Sequence, residues 1–115
     1  MQRYIPDSAE LASIYHGATR VWISGPSIVS PNEKFVLRIS LLRLDGYLAT
    51  DFEGELLLKD NSGIENLPEK LVFSKEDRGS LVLTGCSISE EGTHSFKVSP
   101  SRGPLPAGHS HPIWA

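Results

Sequence analysis

Residues 34–44 read Lys-Phe-Val-Leu-Arg-Ile-Ser-Leu-Leu-Arg-Leu, and this stretch decides the fold class. The apolar residues at 35, 37, 39 and 41 fall on one side of an extended chain, while Arg38 and Ser40 fall on the other. A period of two over this length predicts a half-buried β-strand. Leu41-Leu42, followed by Leu44, breaks the period and predicts a bulge or a change of sheet.

Shorter runs with the same alternation occupy the rest of the chain from residue 19 onward. Turns rich in Gly, Pro, Asn and Asp separate them, at a spacing near the roughly 8 to 12 residues of small sandwiches. The sequence therefore predicts an all-β domain over residues 19–115, an immunoglobulin-like antiparallel β-sandwich of seven or eight strands. Its runs are Thr19–Ser24, Lys34–Leu44, Glu55–Lys59, Leu71–Phe73, Ser80–Ile88, Thr93–Val98 and Leu105–Trp114.

Residues 1–18 have a different pattern. Asp7 or Ser8 could cap a helix in which Leu11, Ile14 and Tyr15 share one face, and the same stretch could equally be a linker. We expect a short helix or a linker before the sandwich. No basic region followed by an apolar stretch marks a targeting signal here.

Length and charge narrow the classes of protein. A chain of 115 residues has room for one domain. Its net charge of −3, with lysines and arginines scattered along the sequence, argues against nucleic acid as a partner. No apolar run approaches the roughly 18 residues of a membrane-spanning helix, so no membrane association is predicted. Nothing indicates a compartment.

Cys86 is the single cysteine, so an internal disulfide is excluded and the domain must be held together by packing. It lies within a predicted strand, with no neighbouring base or helix start that would favour the thiolate. We interpret Cys86 as a small buried hydrophobic residue.

Three aromatic residues are candidates for a contact surface: Trp22, Tyr47 and Trp114. Trp22 points away from Val21 and Ile23 on the alternation of the first strand. Either the tryptophans cover a sheet edge, or they are exposed and bind a carbohydrate or a protein partner.

The histidines offer the one spacing that could hold a metal. His109 and His111 would share one face of a strand, but zinc requires at least a third protein ligand, and no known spacing supplies it. The alternatives are two exposed histidines on an edge strand or, if His94 converges with them, a small enzyme or metalloprotein. His94 is predicted on an inner face, bonded to the backbone.

Catalytic motifs are absent from the sequence: it contains no Gly-x-Ser-x-Gly, Walker loop or Cys-x-x-Cys. The carboxylates of residues 51–55 do not fit a calcium loop and are interpreted as a solvated acidic face. We therefore expect no catalytic residue, no metal and no cofactor.

Several short motifs resemble the amino-terminal immunoglobulin-like domain of a bacterial family of uncharacterised proteins, in which that sandwich precedes a PHP-like metallohydrolase domain. In that family the closing motif reads Ser-Asn-Pro-Ile, so His111 takes the place of the asparagine. The motifs are Pro31-Asn32-Glu33-Lys34-Phe35, Asp45-x-x-x-Ala49 with Phe52-x-Gly54, Gly92-Thr93-His94 with Phe96-x-Val98, and Ser110-His111-Pro112-Ile113.

The resemblance implies an accessory module whose attached domain begins soon after Ile113. The metal ligands of the family would belong to that attached domain, and His109 and His111 would not be among them. We therefore expect a non-catalytic interaction module that supports an attached domain. The alternative is a stand-alone, adhesin-like module that binds carbohydrate or protein through exposed aromatic residues.

Overall fold

The computed structural model describes residues 17–101 and 106–115, and it is all-β with antiparallel sheets. Of the predicted helix or linker at 1–18, residues 1–16 lie outside the described residues, and the first strand already begins at Ala18. A single 3-10 turn, Lys75–Asp77, interrupts the strands of the described part. The strands are β1 Ala18–Ser24, β2 Phe35–Arg43, β3 Gly54–Lys59, β4 Ile64–Glu65, β5 Lys70–Phe73, β6 Ser80–Ile88, β7 Thr93–His94, β8 Lys97–Pro100, β9 Gly108–His109 and β10 Ile113–Trp114.

The strands form two four-stranded sheets and a short ribbon. The first sheet has the order β1-β2-β6-β4 and the second the order β5-β3-β8-β9, while β10 pairs with β7. Every pair of named strands is antiparallel.

The core confirms the alternation predicted for β2. Phe35, Leu37, Ile39 and Leu41 are all buried, while Val36 and Arg38 are exposed. Ser40, predicted on the outer side with Arg38, is also buried, and its hydroxyl lies 3.3 Å from that of Ser80. Burial of these side chains supplies the main driving force for pairing the sheets. The second sheet contributes its own inner face to the same cluster, including Leu56, Leu58, Leu71, Phe73 and Val98, and Phe96, just before β8, joins it.

The break in period at Leu41-Leu42 coincides with a bulge, one of the two predicted outcomes. The register between β1 and β2 shifts between Ala18 and Arg20, and the extra residue, Thr19, belongs to β1. β2 itself continues straight through to Arg43. A second bulge lies in β6, where Gly85 has a φ of +74° that favours glycine.

One side of the two-sheet assembly is closed by a parallel contact between β1 and the segment leading into β9. The Val21 N–H donates to the Ala107 carbonyl at 3.0 Å, and Arg20 forms a parallel bridge with Ala107. Because β9 also pairs with β8, this seam joins the first sheet to the second. We call it the β1/β9 seam.

The prediction of one continuous last strand, Leu105–Trp114, is wrong. β9 ends at His109 and β10 begins at Ile113, and residue 105 lies outside the described part. Pro112 has no N–H for a ladder, and the chain passes there from β8 to β7. The predicted run Thr93–Val98 is likewise divided into β7 and β8, and β4 was not foreseen, so the described residues form ten short strands rather than seven or eight.

Ser110 satisfies the backbone at this crossing point. Its buried hydroxyl accepts a hydrogen bond from the Phe96 N–H at 3.0 Å, and its own N–H donates to the Phe96 carbonyl at 2.9 Å. In a continuous strand, a backbone carbonyl would accept the hydrogen bond from the Phe96 N–H; here the Ser110 hydroxyl accepts it instead.

Replacing Ser110 with alanine should lower the free energy of unfolding by about 1 to 2 kcal/mol, because the buried Phe96 N–H loses its acceptor. Chemical denaturation measures the change. Ser101→Ala is the matched control, since Ser101 is exposed. Equal effects of the two substitutions would contradict this role for the Ser110 hydroxyl.

Candidate functional site

A groove with a volume of about 480 Å³ runs along the β1/β9 seam. Trp22 and Arg20 line one wall, and His109 and His111 line the other. Trp22 is 60% exposed, so the interpretation of this residue as a contact surface is favoured over edge packing. We call this concavity the seam groove.

The side chains around the seam groove offer an aromatic face and several hydrogen-bonding groups. The Arg20 guanidinium is a pure donor, and an imidazole can donate or accept. His111 is held in place, with its Nε2 lying 3.3 Å from the Pro26 carbonyl oxygen. Such a surface can stack against the apolar face of a ring and form hydrogen bonds with the hydroxyl groups of that ring. Among the residues that line the groove, no nucleophile is paired with a base.

The three aromatic residues predicted as a contact surface lie on different elements: Trp22 on β1, Tyr47 after the end of β2, and Trp114 on β10. The backbone of Tyr47 bonds to Arg43 at the carboxyl end of β2, whereas Trp114 follows the crossing at Pro112 and pairs with Thr93. Both side chains are strongly exposed. Tyr47 also lies against the Arg43 guanidinium, 5.5 Å from the ring centre.

A second exposed apolar surface lies beside residues 113–115. It consists of two residues, of which Trp114 was predicted as a contact residue and Ile28 was not. Ile28 and Trp114 form a parallel bridge, and their side chains are 76% and 57% exposed. Because Val29 is buried, the neighbouring Ile28 points outward, and this alternation was the sequence signal that could have identified Ile28 as exposed. We call this pair the Ile28/Trp114 patch.

His94 has the structural role predicted for it. It is 5% exposed, its Nε2 lies 2.9 Å from the Glu90 carbonyl oxygen, and its Nδ1 lies 3.3 Å from the Ser62 carbonyl oxygen. A neutral imidazole carries one N–H, and the shorter contact, to the Glu90 carbonyl, anchors the ring to the 89–92 turn, while Nδ1 faces the loop before β4. A side chain on Gly63 would collide with this ring, at 2.9 Å from Nδ1.

The histidines do not converge. Across 17–101 and 106–115, no group of three or more His, Cys, Asp or Glu side chains is placed to hold a metal ion. His109 and His111 both border the seam groove, but they lie on either side of the end of β9 rather than on one strand. The same ranges contain no helix of the length and apolarity needed to cross a membrane.

Cys86 is fully buried on β6, as predicted, and burial raises the pKa of its thiol. The thiolate is the reactive form, so native Cys86 should resist a thiol reagent such as Ellman's reagent at neutral pH and react fully once the protein is unfolded. Rapid reaction of the native protein would contradict the packing of this strand.

Comparison with known proteins yields no matching family model and no matching curated protein.

Proposed function

We propose that the chain is a non-catalytic, immunoglobulin-like accessory module that supports and orients an attached domain. The strand order supports the topology: β1-β2-β6-β4 corresponds to the A-B-E-D sheet of an immunoglobulin domain, and β3-β8-β9 to its C-F-G sheet. In this assignment β5 is an additional strand at the outer edge of β3. The immunoglobulin-like domain that precedes a PHP-like metallohydrolase is the proposed relative.

The observation that carries this proposal is the anchoring of residues 113–115. The Trp114 N–H donates to Ser27 and its carbonyl accepts from Val29, both at 2.8 Å, while Ala115 exchanges two hydrogen bonds with Gly92. A chain continuing past Ala115 would leave from a fixed position beside the Ile28/Trp114 patch. A fixed exit and an adjacent apolar surface are what an orienting module requires, because a flexible exit would leave the attached domain free to move.

The reading frame beyond codon 115 tests the proposal. A domain that opens with an apolar strand and an Asp-x-His-x-His run would support it, and a stop codon would overturn it. In such a longer protein, Trp114→Ala should separate the unfolding transitions of the two domains. Tyr47→Ala is the control, because Tyr47 lies near the carboxyl end of β2 rather than in the Ile28/Trp114 patch; with this substitution the two domains should still unfold in one transition.

A second candidate function is carbohydrate binding in the seam groove. The exposure of Trp22 beside Arg20 and two imidazoles favours it, because sugar rings stack on aromatic faces while their hydroxyl groups meet polar neighbours. Titration with soluble cello-, malto- and xylo-oligosaccharides, followed by tryptophan fluorescence, tests this candidate. Binding that Trp22→Ala abolishes and Trp114→Ala preserves would support it, and no binding would overturn it.

A further inference from the structure

The edge of β6 that faces away from β2 is open over most of its length. The Leu41 N–H donates to the Gly79 carbonyl, so Ser80 is in a non-hydrogen-bonded pair with Ser40. The N–H and C=O groups of Ser80 and Val82 therefore point away from β2, and within the described part of the chain they have no hydrogen-bond partner. β4 covers the far end of this edge, at Ser87–Ile88, and the side chain of Asn66, just after β4, donates to the Gly85 carbonyl at 3.1 Å.

This edge lacks the features that protect other sheet edges. From Gly79 to Ile88 the chain has no charged residue and no proline, and the side chain of Val82 is exposed. By contrast, β5 at the edge of the second sheet carries Lys70 and is preceded by Pro68-Glu69, and β1 and β9 cover one another at the seam. Natural sheets use charges, prolines and bulges to prevent edge-to-edge pairing; β6 has neither a charge nor a proline, and its bulge, at Gly85, lies after the stretch from Ser80 to Thr84.

We propose that the β6 edge is a homodimer interface, at which two copies of this chain pair their β6 strands antiparallel about Val82. In this register Val82 lies opposite Val82 of the second copy, and Ser80 lies opposite Thr84. Each of these pairs can exchange two backbone hydrogen bonds, because the groups that face outward on one copy meet those of the other. No charged residue meets a like charge within the paired stretch.

The inner-facing leucines favour a second copy as the occupant. Leu81 and Leu83 lie on the core side of β6 but are only partly buried, because no strand covers them at the open edge. The antiparallel register places Leu81 of one copy against Leu83 of the other and extends the hydrophobic core across the interface. The strand is thus complementary to itself in hydrogen bonding, charge and side-chain pattern.

Sedimentation velocity of the 115-residue chain over a range of concentrations tests the proposal. The chain should form a dimer, and Val82→Lys should return it to the monomer, because two lysines would face each other across the two-fold axis. Val72→Lys is the matched control: Val72 is an exposed valine on the other edge strand, β5, and its substitution should leave the dimer intact. Circular dichroism verifies that both variants are folded.

A complementary pair of variants distinguishes specific pairing from a general loss of association. Val82→Lys and Val82→Glu should each be monomeric alone and should form a heterodimer when mixed, because opposite charges then meet. A chain that is monomeric at every concentration would overturn the proposal. So would a dimer that Val82→Lys leaves intact, a dimer that Val72→Lys disrupts, or a charged pair that does not combine.

Discussion

Replacing Phe96 with alanine is expected to lower the free energy of unfolding by about 3 to 5 kcal/mol, the largest loss we expect from any truncation in this chain. Phe96 is 1% exposed and lies between β7 and β8, where the second sheet meets the crossing segment. The substitution removes a full aromatic side chain from the core. Its neighbours are held by backbone pairing on both sides, so the cavity cannot collapse easily.

Urea denaturation followed by circular dichroism measures this loss. Tyr47→Ala is the matched control, because it also removes an aromatic ring but from a side chain that is 71% exposed. That change should cost less than about 1 kcal/mol, chiefly the contact with Arg43. Similar losses for the two variants would mean that Phe96 does not occupy the core of the protein in solution.

The strongest strand was predictable because its burial follows directly from alternation. Because β2 is paired on both edges, by β1 and β6, its register is fixed, and the side chains at 35, 37, 39 and 41 must all lie on the same face. The inward face of His94 followed from the same alternation in its own run. Cys86 was interpreted as buried from its residue type, and strict alternation from Leu83 would have turned it outward; the bulge at Gly85 turns it inward. Local pattern was sufficient wherever a strand has one buried face and one exposed face.

The crossing between β9 and β10 could not be predicted in this way. It depends on a side-chain hydroxyl, that of Ser110, which replaces a backbone acceptor for Phe96, a residue 14 positions away. Nothing in the local sequence distinguishes this serine from those in exposed turns. Pro112 is a local signal, because a proline cannot donate to a ladder, but it does not show which strand the chain pairs with next.

For the candidate surfaces, the sequence indicated some of the residues but not their neighbours in space. The alternation placed Trp22 on the face opposite Val21 and Ile23, but it left open whether the tryptophans cover a sheet edge or are exposed. Which residues lie beside them depends on pairing between distant segments. Trp22 lies by His109 and His111 because β1 runs parallel to the approach to β9, and Trp114 lies by Ile28 because of a second parallel bridge. Parallel contacts between chain ends leave no short-range signature.

Replacing Gly108 with alanine should lower the free energy of unfolding by about 3 kcal/mol, because the β1/β9 seam has no room for a side chain. A Cβ at Gly108 would lie 2.3 Å from the Val21 carbonyl oxygen, well inside van der Waals contact. That oxygen belongs to a strand that is paired with β2, so it cannot move aside without disturbing the first sheet. Glycine is therefore required at this position because two backbones approach closely. Its φ is not in the left-handed region, so φ alone would not require a glycine.

Two measurements distinguish this effect from a general cost of losing glycine. Denaturation gives the overall change, and hydrogen exchange of the Val21 amide, which donates to Ala107 across the seam, reports on the seam itself. Gly85→Ala is the control: its φ of +74° should cost about 1 kcal/mol, but its Cβ would meet nothing within 4 Å. We expect only Gly108→Ala to accelerate exchange at Val21. If both variants lost the same stability and left this amide protected, β1 and β9 would not be in close contact, and neither the closed side of the domain nor the seam groove would exist as described.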